Sequence, residues 1–188
     1  VTVDGVTYLL EAPFIVVATQ NPIEMEGTYP LPEAQRDRFM ARVSMGYPAA
    51  GAELAMLSSH GSHSPLDDVQ PVASAADVRR LIATTREIWV SEAVKQYVVD
   101  LATATRAHTD LRLGASPRAT LHLLRASRAQ AALEGRDHVL PDDVQSLAVP
   151  VLAHRLLLSP EALLARRSAV DVVASVVQRV PVPAGPGR

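Results

Sequence analysis

A run of five apolar residues constrains the fold of this chain more than any other feature. The stretch FIVVA (residues 14–18) has no polar alternation, so a strand here is apolar on both faces. Strands of this kind belong to parallel sheets that helices cover on both sides. The sequence therefore predicts an α/β layer that contains a buried strand over 14–18.

Polar residues follow this predicted strand directly. Thr19, Gln20 and Asn21 come next, and Pro22 ends the stretch. Ligands of parallel sheets bind just beyond the carboxyl ends of the strands, which makes Asn21 a candidate ligand contact. The alternative is that Asn-Pro is only a turn, and this stretch alone does not decide between the two.

Two more stretches before Pro48 predict β structure. Strand-like residues flank Asp4-Gly5, a dipeptide that favours a type I′ hairpin because both of its central positions need positive φ. The stretch FMARVSMGY (residues 39–47) alternates between two faces, as a strand does. We expect a short helix over 33–38 between them, with Pro32 at its first position, and no β structure after residue 47.

From Pro48 onward the hydrophobic spacing becomes helical. Ser91 suits the N-cap of the clearest helix, and Trp89 and Tyr97 are expected in the core. The tail VPVPAGPGR cannot form a helix and is expected to be flexible. The predicted helices cover residues 50–59, 74–87, 91–107, 116–134, 141–154 and 168–179.

Composition excludes several classes of function. The 188 residues carry a net charge of −2 and no cysteine. A nucleic-acid partner is therefore not expected, since no basic footprint exists, and neither a disulfide framework nor a thiolate zinc site is possible. No stretch has the length of a membrane span, so we expect a cytoplasmic protein without a membrane partner.

The stretch GASPRA predicts a helix start that carries an arginine in its first turn. Ser116 is a strong N-cap residue and Pro117 suits the first helical position. Arg118 then lies in the first turn, where a cation costs ~0.3–1 kcal/mol unless a negative group compensates it. That group is either a bound anion at the helix N-terminus or a nearby carboxylate of the protein.

The stretch EAQRDRF places Arg36 and Arg38 on either side of Asp37. Such a cluster is commonly a solvated ion pair worth ~0–1 kcal/mol. In phosphoryl transfer, however, an arginine projected into a neighbouring subunit's site stabilises the transition state. The spacing alone does not separate these possibilities.

Two other clusters predict no chemistry. His60 and His63 lack the acidic or cysteine partners of a zinc site. Asp142 and Asp143 follow Pro141 in the first turn of a predicted helix, where acids complement the helix dipole. No metal site is predicted.

Three stretches, in this order, resemble the MoxR branch of the AAA+ ATPases. They are ATQNPIEMEGTYPLPEAQRDRF, LRLGASPRATLHLLRASRAQAALEGRDHVLPDDV and VLAHRL, and the resemblance runs from Val1 to about Val180. It implies that Asn21 is the sensor 1 residue, Arg38 the arginine finger and Arg118 the sensor 2 arginine. Position 36 is usually apolar in this family, so Arg36 is a second candidate for the finger.

The resemblance also implies an architecture. Residues 1–47 would be the C-terminal portion of an AAA+ α/β core, with the hairpin and the last strands of its parallel sheet. Residues 48–180 would be an all-α lid, followed by a flexible tail over 181–188. The chain as a whole is expected to be predominantly helical.

The activity implied by the resemblance is ATP-driven, chaperone-like remodelling or assembly of partner proteins. ATP and Mg²⁺ are the implied cofactors of the full-length protein, a ring, expected to be a hexamer, is the implied assembly, and von Willebrand factor A-type proteins are the implied partners. The 188 residues contain no G-x-x-x-x-G-K-[ST] phosphate loop. We therefore expect a C-terminal fragment that does not hydrolyse ATP alone. The alternative is a non-catalytic helical protein-interaction module.

Overall fold

The computed structural model of the protein describes residues 1–19, 31–59 and 65–183. Asn21 lies outside these ranges, as do His60 and His63, and the predicted tail is described only to residue 183. The chain packs as two compact units. The first comprises Val1–Val16 and Val43–Leu81, and the second comprises Val17–Arg42 and Ile82–Arg188.

The first unit begins with the predicted hairpin. Strands β1 (Thr2–Val3) and β2 (Val6–Thr7) pair antiparallel. The two residues between them, Asp4 and Gly5, have φ values of 50° and 80°. Positive φ at both central positions is the requirement of a type I′ turn, so the hairpin prediction is confirmed.

Three helical segments belong wholly or partly to the first unit. They are helix α2 (Ala50–Ser59), a 3-10 turn (Pro65–Asp68) and helix α3 (Ala75–Glu87), which continues into the second unit. The four-residue helix α1 (Glu33–Arg36) precedes them in the chain and belongs to the second unit. The predicted helices over 50–59 and 74–87 are thus confirmed, and α1 ends two residues before the predicted 38.

Two predicted strands are absent from the described residues. Residues 14–18 form no strand, and their apolar side chains are exposed, with Ile15 at 86% and Val17 at 77%. Residues 39–47 form none either. A strand exists only where a neighbour completes its hydrogen bonds, and the described residues supply no neighbour to either stretch. The predicted parallel sheet is therefore not formed within these residues.

The second unit is helical, as predicted. Its helices after α3 are α4 (Glu92–Arg106), α5 (Pro117–Leu133), α6 (Pro141–Leu152), α7 (Pro160–Leu164) and α8 (Ala169–Arg179). A 3-10 turn (Ala153–Arg155) extends α6. Four of these helices agree with the predictions to within two residues at each end. The five-residue α7 was not predicted, because one turn is too short to show a helical period.

Helices α4, α5, α6 and α8 enclose the core. Side chains from all four are fully buried, and each contributes on the order of 1.5–3 kcal/mol by leaving water. The tyrosine among them keeps a polar partner, since Gln145 Nε2 donates to the Tyr97 hydroxyl at 3.1 Å. The largest of these side chains are Tyr97, Leu101, Leu123, Val144, Leu152 and Val173.

Two features of this unit correct the sequence predictions. Strands β3 (Leu111–Leu113) and β4 (Leu157–Leu158) pair antiparallel, so β structure does not end at residue 47. Trp89 is 62% exposed rather than in the core. Its backbone bonds to the segment before α6, where its N–H donates to Asp137 O at 2.8 Å, and its indole stays at the surface.

Among the described residues, no helix is long and apolar enough to cross a membrane.

Candidate functional site

The N-terminus of α5 forms as the sequence predicts. Ser116 is the N-cap, and its Oγ accepts a hydrogen bond from the N–H of Ala119 at 3.2 Å. Pro117 is the first helical residue. Arg118 follows in the first turn and its side chain is half exposed. The local sequence thus places one cation at the positive end of the helix dipole.

A close backbone approach fixes this helix start against α4. A Cβ on Gly114 would lie 2.6 Å from the backbone N and Cα of Arg106, so only glycine fits there. Next to it, the N–H of Ala115 donates to the buried Thr105 hydroxyl at 2.9 Å, and Arg106 Nε donates to Ala115 O at 2.8 Å. These bonds hold the residue that precedes the N-cap.

The negative partner of Arg118 is a carboxylate of the protein. Arg118 Nη1 lies 3.6 Å from Asp37 Oδ2, with the two side chains 50% and 24% exposed. Of the two predicted partners, the structure therefore shows the carboxylate. A bound anion at the same helix start stays a prediction.

Asp37 is the centre of a larger cluster. Its Oδ1 accepts from Ser116 Oγ at 2.8 Å and from Arg155 Nη1 at 3.0 Å. The carboxylate thus contacts the N-cap of α5 and the 3-10 turn after α6, while its other oxygen faces Arg118. We call Asp37, Ser116, Arg118, His122 and Arg155 the Asp37 cluster.

Arg155 was not singled out from the sequence, although it lies in the stretch VLAHRL. Its side chain is 1% exposed. Nε donates to Val151 O at 2.9 Å, which fixes the guanidinium to the last turn of α6. Burial lowers the pKa of this guanidinium, and the charge of Asp37 opposes that shift. A planar fork of five N–H groups suits such a site better than a lysine would.

His122 completes the cluster from the next turn of α5. Its Nδ1 lies 2.6 Å from Arg155 Nη2. A guanidinium N–H only donates, so Nδ1 accepts and the imidazole is neutral, with its proton on Nε2. Burial lowers the pKa of His122, and the charges of Arg155, Arg125 and Arg118 lower it further against the opposing effect of Asp37.

The two finger candidates occupy different environments. Arg38 is exposed, and no ion pair found among the described residues includes it. Arg36 is half-buried, and its Nε is enclosed without a hydrogen-bond partner. Of the two, Arg38 has the side chain that is free to reach another molecule. Its role as a finger stays a prediction.

No metal ligand set is found in the part of the chain that the structure describes, where no three His, Asp or Glu residues are grouped to hold an ion.

Asp143 forms an ion pair in addition to its predicted place in the first turn of a helix. Asp143 is buried at the start of α6, and Arg136 donates to both of its oxygens at 2.8 and 2.6 Å. Although burial raises the pKa of Asp143, the bonds from Arg136 and the Leu140 N–H keep it below its ordinary value.

Comparison with known proteins identifies both parts of the chain. The family model described as "ATPase family associated with various cellular activities (AAA)" matches residues 1–41. The model described as "AAA lid domain" matches residues 103–176. The first match includes Asp37 and Arg38, and the second includes the other four residues of the Asp37 cluster.

Relatives cover nearly the whole chain. The uncharacterized protein YeaC of Bacillus subtilis is 43% identical over 97% of this chain and 57% of its own length. The chaperone MoxR1 of Mycobacterium tuberculosis is 40% identical over 97% of this chain and 50% of its own, and the protein MoxR of Paracoccus denitrificans is 36% identical over 90% and 56%.

A solved structure shares the fold. The crystal structure of a candidate ATPase from Cytophaga hutchinsonii matches with a TM-score of 0.87 and 35% identity, over 98% of this chain and 58% of that one. The chain spans about half the length of the curated relatives it matches. With both family matches and these relatives, the chain belongs to the MoxR family of AAA+ ATPases.

Proposed function

We propose that the protein acts as a MoxR-type AAA+ ATPase that uses ATP to remodel or assemble partner proteins. One observation carries this proposal above the others. The exposed Arg38 follows Asp37, and the Asp37 carboxylate contacts the helix start that bears Arg118. The Asp37 cluster therefore joins the backbone segments that carry Arg38 and Arg118, the two arginines with predicted roles in phosphoryl transfer.

Arg118 is the proposed contact for the nucleotide phosphates. It lies at a helix N-terminus, whose free N–H groups and dipole favour an anion. Within the Asp37 cluster, two arginines (Arg118 and Arg155) face one carboxylate, Asp37. The cluster therefore has an excess of positive charge. Arg118 and the N-terminus of α5 are the groups proposed to meet the phosphate end of ATP, since the buried Arg155 is bonded within the protein.

Arg38 is the proposed finger, acting on the site of a neighbouring subunit. An arginine in that position stabilises the charge that develops on the transferred phosphoryl group. Asn21, which lies outside the described residues, is the proposed sensor 1 residue that helps to position the attacking water. Among the described residues, no three acidic or histidine side chains are grouped to hold Mg²⁺, and we assign no ligand for it there.

Ring assembly and partner choice follow from the family. A finger that acts in trans requires a neighbouring subunit, and a ring, as a hexamer, provides one for every site. The proposed substrates are von Willebrand factor A-type proteins, on the strength of the family resemblance. The name of the relative MoxR1, a chaperone, supports remodelling as the use of the ATP energy.

The test is an Arg38→Ala variant of the complete gene product that carries these residues. We expect turnover to fall by about 10³-fold or more while ATP binding persists, since a finger acts on the transition state. Arg36→Ala should retain far more turnover, and Arg167→Ala, at an exposed ion pair with Asp110, should match the wild type. Undiminished turnover in Arg38→Ala would remove the finger from the proposal.

The second candidate function is a non-catalytic helical interaction module. The observation that favours it is that α4, α5, α6 and α8, together with the segments beside them, close a core. ATP turnover by the complete gene product decides between the two candidates. A purified, folded gene product that neither binds nor hydrolyses ATP would leave the interaction module as the function.

A further inference from the structure

The guanidinium of Arg155 donates hydrogen bonds to backbone carbonyls on both sides of Arg38. Nη1 donates to Asp37 O at 3.0 Å, as well as to the Asp37 carboxylate. Nη2 donates to Phe39 O and lies 3.3 Å from Met40 O. The carbonyls before and after Arg38 are therefore bound by one buried side chain, which leaves Arg38 itself in solvent.

Other bonds tie the same short segment to the same part of the lid. His154 Nε2 donates to Phe39 O at 3.3 Å. The N–H of Arg42 donates to Pro150 O at 2.9 Å, in the last turn of α6. Residues 37–42 lack strand neighbours among the described residues, so these lid contacts define the path of their backbone.

From this geometry we infer that Arg155 is a positioning residue for the Arg38 finger. It fixes the backbone of residues 37–40, and through the Asp37 carboxylate it links that backbone to Arg118 at the start of α5. The position of the finger offered to the next subunit therefore depends on Arg155. This inference rests on the proposed function and adds the residue that holds its finger in place.

The chemistry of arginine is what this role requires. The five N–H groups of Arg155 meet acceptors on Val151, Asp37, Phe39, Met40 and His122. Lysine keeps the charge but offers only three donors from one nitrogen, so it cannot hold carbonyls in two directions. Arg155→Lys is therefore a selective probe of positioning, with the charge retained.

The first measurement compares Arg155→Lys with Arg167→Lys in the complete gene product. Arg167 also pairs with an aspartate, but at the surface. Because small misplacements of a catalytic group are costly, we expect kcat of Arg155→Lys to fall by about 10²-fold with little change in KM. Arg167→Lys should stay within about twofold of wild type, as for other exposed pairs. A wild-type kcat in Arg155→Lys would overturn the inference.

Mixed assemblies separate positioning in trans from damage within one subunit. Subunits with Arg155→Lys keep their own phosphate contact but present a misplaced finger. Subunits with Arg118→Ala have the opposite defect. Mixing the two should raise turnover above both parents, because each intact site then receives an intact finger. No gain on mixing would mean that Arg155 acts only within its own subunit, and the inference would fail.

A reference mixture tests the proposed function separately. Arg38→Ala mixed with Arg118→Ala should recover turnover by the same logic. If this pair fails to recover, the finger in trans is wrong, whatever Arg155 does. If it recovers and the Arg155→Lys pair does not, only the inference on Arg155 is wrong. Should Arg155→Lys fail to fold, Arg155→Gln takes its place in the mixture, since a neutral amide buries no charge and still cannot hold carbonyls in two directions.

Discussion

Arg155 and Asp37 are 118 positions apart in the sequence and form two hydrogen bonds of 3.0 Å, one to the carboxylate and one to the carbonyl of Asp37. The contact joins the segment matched by the AAA model to the lid. It explains how a stretch without strand neighbours among the described residues keeps a defined backbone path. The lid thus supports the segment that carries Arg38, the proposed finger, and also bears Arg118, the proposed nucleotide contact.

The first prediction concerns the stability contributed by this contact. Arg155→Met should lower the free energy of unfolding by about 3 kcal/mol, the lower end of the range for a broken buried pair, because Asp37 keeps some exposure. Urea unfolding of wild type and variant measures the loss. Arg167→Met, which breaks the exposed pair with Asp110, should cost no more than about 1 kcal/mol. Equal losses in the two variants would contradict a special role for burial at Arg155.

The second prediction concerns the availability of Arg118. Its pair with Asp37 is long at 3.6 Å and half exposed, so a double-mutant cycle with Arg118→Ala and Asp37→Asn should give a coupling of at most about 1 kcal/mol. A phosphate group can therefore displace Asp37 from Arg118 at little cost. Arg118→Ala should weaken ATP binding by the complete gene product while its unfolding midpoint stays near the wild-type value. A coupling of several kcal/mol would show that Arg118 is committed to the protein.

The third prediction is a pH dependence that originates at His122. Its pKa lies below the ordinary value of 6.5, so the unfolded chain takes up a proton near that value and the folded chain does not. The stability that this neutral imidazole contributes is therefore present above pH 6.5 and is lost as the pH falls towards the folded pKa. Burial is the main cause of this lowered pKa, the charges of Arg155, Arg125 and Arg118 add to it, and Asp37 opposes them.

A His122→Asn variant tests this origin, because the amide oxygen can still accept from Arg155 but does not titrate. We expect urea unfolding between pH 7.5 and 5 to show a smaller loss of stability in the variant than in the wild type. His154, whose pKa is also lowered by burial, titrates in both proteins and cancels in the comparison. Equal losses in the two proteins would place the pH dependence elsewhere.

The sequence predicts the local structure of this chain well and its long-range contacts poorly. Caps and helical spacing depend on neighbours within a few residues, which is why the starts of α4 and α5 at Ser91 and Ser116 could be predicted. The partner of Arg118 was predicted only as a choice between an anion and a carboxylate, because Asp37 is distant in sequence. Arg155 gave no signal of its own, since a buried arginine in a helical stretch has the same local pattern as an exposed one.

Unlike the hairpin, the strands predicted over 14–18 and 39–47 do not form, for a related reason. An apolar run such as 14–18 reports that burial is required, and it does not report which strands would provide it. The described residues contain no partner for it, so no strand forms. Trp89 was expected in the core because aromatic residues usually bury large areas, yet its backbone pairing with the segment before α6 leaves the indole outside.

The last prediction concerns the glycine of GASPRA, which controls how close β3 comes to α4. Gly114→Ala would place a Cβ 2.6 Å from the backbone of Arg106, where no flexible side chain can move aside. The backbone must then shift, and with it the bond from Ala115 N–H to the Thr105 hydroxyl. We expect a loss of about 2 kcal/mol or more, as for other overpacked sites, and weaker ATP binding because the start of α5 moves.

Gly51→Ala is the matched control for this substitution. Gly51 lies within α2, and a Cβ there meets nothing within 4 Å. Alanine is the better helix former, so this variant should be unchanged or more stable by about 0.5–1 kcal/mol. Thermal unfolding of both variants, followed by nucleotide titration, measures the contrast. If Gly114→Ala unfolds like the wild type and binds ATP equally well, the close approach of Gly114 to Arg106 does not position Arg118. Such a result would mean that β3 can move away from α4 without disturbing the start of α5.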